Sequence, residues 1–447
     1  MSEAAKLTRG SISGHLVGQT TPMIIGVAAM MSVGLIDAYF IGQLGSAELA
    51  AMSFVFPIVT ALASLGVGVM VGINSVVARA LGEGDMERAQ RKASFGIAFA
   101  FATGAVLGLL LLALVTPLFR LMQASDELLP LIRAYMVPFA LGFPLVLINM
   151  GVNGVMRGQG EAKRTSVISI TYAAANWVLD PILITGAFGF EGFGIAGAAY
   201  ATLISWGIAV ALGLWLLRST SLPFRPGVIR QCNLRETLGP IVGVALPAAG
   251  ANAINPVGLS VLTALVATQS QAAVAGFGAG GRLQAFAVVP LLALSGAIGG
   301  IVGQNWGAKH YDRARQAMWQ AGLFAAGYGL VLAVLLFAAG EWFARFFSDD
   351  PAVIKQFAQY LRISAWGYAG FGVLITANGA LNAVGKANLS LIQSFARVFL
   401  VMLPFAWFLR PAWGEEAIFA AELAANVLGG AVAAYVVWRV LARGKEG

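Results

Sequence analysis

The stretch 82-GEGDMERAQRKASFGIAFAFATGAVLGLLLLALVTPLF-119 decides how this chain folds. It opens as a charged loop and passes into a run, Ala93 to Phe119, that contains no acid and no base. About 20 apolar residues suffice to cross a bilayer as a helix, whereas a barrel strand would be short and alternating. The opening of the stretch also has a second copy. Gly82-Glu-Gly-Asp-Met-Glu-Arg-Ala-Gln90 lies over Gly307-Ala-Lys-His-Tyr-Asp-Arg-Ala-Arg315 at a shift of 225 residues.

Working outward at that register, Pro22 falls on Pro247, Tyr135 on Tyr360, Gly142 on Gly367, Asn153 on Asn378, Gly154 on Gly379 and Gly160 on Gly385. Coincidences of glycine are cheap in a chain with 55 of them. A proline, a tyrosine, an asparagine and the Arg88–Arg313 pair in one register are not, so the chain is an internal duplication.

The rest of the chain resembles the opening stretch in kind. Apolar residues make up 59% of the 447 residues, charged residues 11%, and the mean hydropathy is +0.81. A soluble domain carries about 25% charged residues, so this chain lacks the charge to cover a water-facing surface. The pattern predicts spans at about 15–42, 49–78, 93–118, 128–156, 164–186, 192–217, 239–266, 272–303, 318–340, 356–382, 389–409 and 417–438. With this division, twenty bases fall in the termini and even-numbered loops and four in the odd-numbered loops. Such a bias places both termini in the cytoplasm of a bacterial-type inner (plasma) membrane.

The predicted fold class is therefore an all-α, multi-pass integral membrane protein. Its twelve transmembrane helices form two six-helix pseudo-symmetric bundles: an N-lobe at 1–217, a cytoplasmic linker at 218–237 and a C-lobe at 238–447. Six spans separate the copies, so the repeat is parallel, about an axis along the membrane normal. Two like lobes that rock about a central cleft suggest a carrier.

Several chemistries are excluded. No Gly-Lys-Ser/Thr phosphate loop is present for ATP hydrolysis. His15, His310 and Cys232 do not make a zinc site of the usual kind. The net charge of +8 follows the loops rather than a nucleic-acid surface. No cofactor is expected beyond a coupling ion, and neither a nucleic-acid partner nor an enzymatic activity is predicted. The expected partners are small organic substrates and membrane lipids, and the protein is expected to act as a monomer.

Intramembrane ionisable residues are functional candidates by default. Asp37 in the first span, Asp180 in the fifth, Asn176 one turn before it and Thr202 in the sixth fall at one depth of the N-lobe. Two carboxyl groups with an amide and a hydroxyl suit Na+, or a proton that one carboxyl exchanges. At the 225-residue shift Asp37 meets Leu262 and Asp180 meets Phe405, so the acids belong to one lobe only. Glu422 is read as an interface residue near the outer start of the last span. Pro22 and Pro247 invite kinks. Asn149, Asn153, Asn252, Asn255, Gln284 and Asn378 are cavity candidates, and Arg282 and Arg397 suggest a water-filled C-lobe cavity, a neighbouring partner or snorkelling.

The motifs Gly34-Leu-Ile-Asp-Ala-Tyr-Phe-Ile-Gly42, Arg79-Ala-Leu-Gly82, Asn176 to Pro181 and Gly303-Gln-Asn-Trp-Gly307, in this order, resemble the MATE (multidrug and toxic compound extrusion) transporters. The resemblance covers nearly the whole chain. It implies a two-lobed export carrier driven by H+ or Na+, with the cation site in the N-lobe at Asp37, Asn176, Asp180 and Thr202. It also implies that Tyr135 and Asn153 line or support that site. Another branch carries a glutamate in the seventh helix, near where Asn255 stands here. The expected function is cation-coupled antiport of amphipathic, often cationic, drugs and toxic organic compounds. The alternatives are a lipid-linked oligosaccharide flippase of the same wider superfamily and a channel or membrane receptor.

Overall fold

Inside a bilayer no water pairs with backbone N–H and C=O groups, so each apolar run must close its hydrogen bonds internally. The computed structural model, which describes residues 5–187, 189 and 191–443, is all-α among those residues. The first half holds α1 (Ile12–Leu44), α2 (Ser46–Glu83), α3 (Met86–Leu121), α4 (Leu129–Gly158), α5 (Ala162–Asp180) and α6 (Ile195–Leu217). The second holds α7 (Leu234–Ala267), α8 (Gln271–Ala287), α9 (Val289–Gly307), α10 (Tyr311–Ala344), α11 (Pro351–Ser364) and α12 (Tyr368–Ala383). It closes with α13 (Ala387–Phe395), α14 (Leu403–Trp413) and α15 (Glu415–Arg443).

Among the described residues ten helices are long and apolar enough to cross a membrane. An eleventh span forms if α8 and α9, bent by 42° at their junction, count as one. That bend sits beside Pro290, which lacks the N–H needed to continue the α8 ladder. The span expected at 356–382 is broken instead. A 3-10 turn, Ala365–Gly367, separates α11 from α12, and Lys355, Gln356, Gln359 and Arg362 make α11 too polar to cross alone. By contrast, α1 runs unbroken through Pro22.

The duplication is visible in atomic contacts. A Cβ added at Gly104 would meet Phe143 and Pro144, and one added at Gly329 would meet Tyr368 and Ala369. Likewise Gly154 lies against the Met70 carbonyl and Gly379 against the Ser295 carbonyl, at 2.6 and 2.5 Å from such an added Cβ. Each second contact is the first displaced by 225 residues. Between halves the relation becomes reciprocal. A Cβ at Gly82 would fall 2.1 Å from the Gln304 carbonyl oxygen, and one at Gly307 would fall 2.2 Å from the Arg79 carbonyl oxygen. A pseudo-two-fold axis between two bundles requires that exchange.

These cross-half approaches, including Gly68 to Ala245 and Gly72 to Ile241, lie along the C-terminal half of α2, the N-terminal half of α7 and the C-terminal end of α9. Glycine there lets backbones touch. The motif Gly303–Gly307 adds polar ties: the Leu7 N–H donates to Gln304 Oε1 (3.1 Å), and Gln304 Nε2 donates to the Gly158 carbonyl (2.7 Å). Ser75 Oγ reaches across to the Asn382 carbonyl (2.6 Å). The larger cores remain separate. One gathers residues from Val33 to Leu222 with Ile241, and the others gather residues from 262 to 441 with Leu7, Ile12 and Leu16. A small cluster of Met23, Ala162, Ala293 and Ala297 joins the halves.

Candidate functional site

α1 and α5 run side by side from a close contact of Gly26 with Ser166, where a Cβ would fall 3.1 Å from the Ser166 Cα. From that point Asp37 lies about 16 Å and Asp180 about 21 Å further along, at 1.5 Å per residue. Their carboxyl groups come within direct electrostatic reach of each other there. Asp180 is the last residue of α5 before Pro181, whose missing N–H leaves a carbonyl one turn back unpaired. The chain widens into a π-helical turn, Pro181–Thr185, a feature common at functional sites.

The pair is starved of donors. Asp180 and Asn176 are fully buried and Asp37 is half-buried. Asp37 Oδ1, both Asp180 carboxyl oxygens and both polar atoms of the Asn176 amide have no hydrogen-bond partner among the described residues. Two carboxylates in such reach repel one another, so the arrangement calls for a proton or a cation between them. Tyr135 and Tyr172 lie within electrostatic reach of both acids. Tyr172 stacks on Trp206, with ring centroids 4.0 Å apart, and Thr202 lies beside it on α6. The oxygens of two carboxylates, an amide and hydroxyls are hard donors of the kind that suit Na+.

A second feature is a cavity of about 450 Å3 between the halves. Asn74, Arg157, Asn252, Asn255, Asn378 and Arg397 are among the polar residues that line it, and no acid does so. Arg397 sits in a second π-helical segment, Ala396–Met402. Its guanidinium donates to Asn426 Oδ1 (2.5 Å) and to Asn255 Oδ1, and it lies 5.5 Å from the Phe371 ring centre. Asn378 Nδ2 donates to Ser394 Oγ (3.1 Å), and Asn252 Nδ2 to the Ala248 carbonyl (2.8 Å).

Other expected residues lie elsewhere. Asn149 and Asn153 are buried within the first half, where Asn153 Nδ2 donates to the Asn149 carbonyl (2.9 Å), and they do not line the cavity. They stand about 21 Å or more along α4 from Tyr135, too far to join the acids. Pro22 does not line the cavity either. Gln284, expected in a cavity, is bound within the second half. Its Nε2 donates to Glu422 Oε1 (2.7 Å), and its Oε1 accepts from the Tyr360 hydroxyl (2.5 Å). Glu422 is therefore not an interface residue. It is 3% exposed and also accepts from Tyr360 at Oε2 (2.8 Å), so buried acids are not confined to the first half. Arg282 is exposed and does not line the cavity. The α8 glycines Gly276 and Gly280 pack on Phe357 and Tyr360 of α11, which turns Arg282 to the other side.

Tyr172 and Arg157 were not expected. Tyr172 has a signal, since it precedes Asn176 and Asp180 at spacings of four and eight on one helical face. Arg157 reads as a loop base, but α4 extends to Gly158 and carries it into the cavity wall.

The MatE family pattern matches this chain twice, over residues 22–182 and 247–408. The two matches begin at the paired prolines, in the register that the sequence itself displays. The chain belongs to the MatE family. It is similar to the FAD transporter of Shewanella oneidensis, 32% identical over 98% of this chain and 97% of that one. It is also similar to the multidrug resistance protein PmpM of Pseudomonas aeruginosa, 26% identical over 90% of this chain and 85% of that one. Among solved structures, the Vibrio cholerae MATE transporter VcmN superposes with a TM-score of 0.92 at 26% identity and 98% coverage of both chains. A MatE protein is a multi-pass membrane secondary transporter and not an enzyme.

Proposed function

We propose that the protein is an H+- or Na+-coupled antiporter that exports amphipathic organic compounds, drugs among them, across a bacterial inner membrane by alternating access. Asp37, Asp180, Asn176 and Thr202 form the coupling site, with Tyr135 and Tyr172 around it. The observation that carries this reading is the approach of two donor-starved carboxyl groups in the first half. Relatives named as transporters of FAD and of multiple drugs support export of organic solutes.

In this reading the chain crosses the membrane twelve times, with residues 351–383 as a broken tenth crossing. Lobes 1–217 and 238–447 rock about the linker 218–237, and both termini are cytoplasmic. The glycine contacts then seal the cytoplasmic side, so the cleft faces outward. A cation arriving from outside neutralises the acid pair, and α1, bending near Pro22, shifts against α5 to release substrate.

The test is export from proteoliposomes under separately imposed pH and Na+ gradients. Uphill transport driven by one gradient, and lost in Asp37→Asn, is expected. Transport that ignores both gradients sinks the reading.

A further inference from the structure

We infer that the central cavity is a binding site for a free, phosphate-bearing flat aromatic solute, held by Arg157 and Arg397. This deepens the transport reading and rests on it only for the direction of movement. The first argument is charge. The two guanidinium groups are the only ionised side chains that line the cavity, and neither makes an ion pair among the described residues. Glu422 lies within electrostatic reach of Arg397 but is bound by Tyr360 and Gln284, and among the described residues no acid stands in such reach of Arg157. A desolvated guanidinium without a paired acid is costly to hold unless a ligand supplies the counter-charge.

The second argument is presentation. Arg397 is 4% exposed and fixed by Asn255 and Asn426, while its Nε has no partner. The Nε of Arg157 is also buried without a partner. A planar guanidinium matches phosphate oxygens, which accept two parallel bonds, and a ligand that drew these nitrogens toward the cavity would give the unpartnered Nε groups an acceptor.

The third argument is the wall. Phe371, Leu292, Ile254 and Leu374 give the same cavity an apolar side next to the arginines. At about 450 Å3 it falls within the range of pockets that hold drug-sized ligands, roughly 300–1,000 Å3. The asparagine amides supply both donors and acceptors for a heterocycle edge. A cation would meet two like charges here, so the cavity selects against cationic compounds at this position.

The experiment measures binding to the detergent-purified full chain through flavin fluorescence, with FAD, FMN and riboflavin as probes. FAD and FMN are expected to bind, with riboflavin weaker by about tenfold or more, the value of one charge-assisted hydrogen bond. Inorganic pyrophosphate should displace FAD. Arg397→Gln and Arg157→Gln should each weaken FAD about tenfold and leave riboflavin unchanged, while Arg397→Lys and Arg157→Lys, which keep the charge, should retain part of the affinity. Equal binding of riboflavin and FAD, or equal loss of both in the Gln variants, overturns the inference. So does dioctanoyl phosphatidic acid binding more tightly than FAD, which would assign the arginines to a lipid headgroup. Because binding is read without a gradient, a failure here is separate from a failure of coupled transport.

Discussion

The fifth helices of the two halves began as the same segment and now carry opposite charges. Tyr172 and Arg397 occupy equivalent positions, 225 residues apart, and so do Asp180 and Phe405. Both segments contain a π-helical turn, at 181–185 in one and 396–402 in the other. In the first half the turn follows an acid within electrostatic reach of Asp37. In the second it carries a guanidinium that faces the central cavity. The packing between and within the halves stayed equivalent, down to Gly82 and Gly307 on each other's partners. In the proposed function and the inference drawn from it, duplication preserved the frame and divergence divided the chemistry: the acid pair belongs to the first half alone, and Arg397 of the second half joins Arg157 of the first at the central cavity.

The sharpest way to break this comparison is to neutralise the acids. Asp37→Asn and Asp180→Asn should each reduce gradient-driven export to the level of passive leak, a loss of at least about tenfold. The double variant should be no worse than either single one, because residues that act as a unit are not additive. Export rates from proteoliposomes under an imposed gradient measure all three. If Asp180→Asn stays coupled, the pair is not the unit and the first half loses its special status.

The next effect in size concerns the shared frame. Gly82→Leu and Gly307→Leu each drive a side chain into a backbone carbonyl of the opposite half. Each should destabilise the form in which the halves touch at these glycines by about 1–3 kcal/mol, as overpacking does. A thermal melt in detergent and the labelling rate of a cysteine placed at Asn74 would report it. Equal effects sharpen the pseudo-symmetry, and an effect at one glycine alone breaks it.

How much of this was legible beforehand depended on how rare the signal was. Acids inside apolar runs stand out, so Asp37, Asp180 and Asn176 one turn away are readable from spacing alone. The repeat was readable because prolines, tyrosines and arginines shared one register. Tyr172 shares a helical face with Asn176 and Asp180, but its place beside Asp37 is set by α1, which is tertiary information. Arg157 was concealed by a helix end, since a base near a predicted boundary counts equally well as a loop residue. Gln284 and Glu422 are 138 residues apart, and only the packing of α8, α11 and α15 joins them. The break at Ala365–Gly367 carried no proline to announce it.

The smallest expected effect tests whether the second half kept a coupling acid of its own. Glu422 is buried with Tyr360, which matches Tyr135 beside the first-half acids, so a second engine is a fair challenge to the asymmetry. The details argue against it. Both Glu422 oxygens have a donor in reach, Gln284 Nε2 at one and at the other the Tyr360 hydroxyl, whose single proton is shared with Gln284 Oε1, whereas the Asp37–Asp180 pair is starved of donors. In Glu422→Gln the carbonyl oxygen keeps the bond from Gln284. The Tyr360 hydroxyl can turn to Gln284 Oε1, already within 2.5 Å, and accept from the new amide. The cost should therefore be about 1 kcal/mol of stability at most, the value of one hydrogen bond, with export still coupled. Melting and gradient-driven export measured on the same preparation decide the matter. Loss of coupling without loss of stability would make Glu422 a second coupling acid and end the one-sided division of labour.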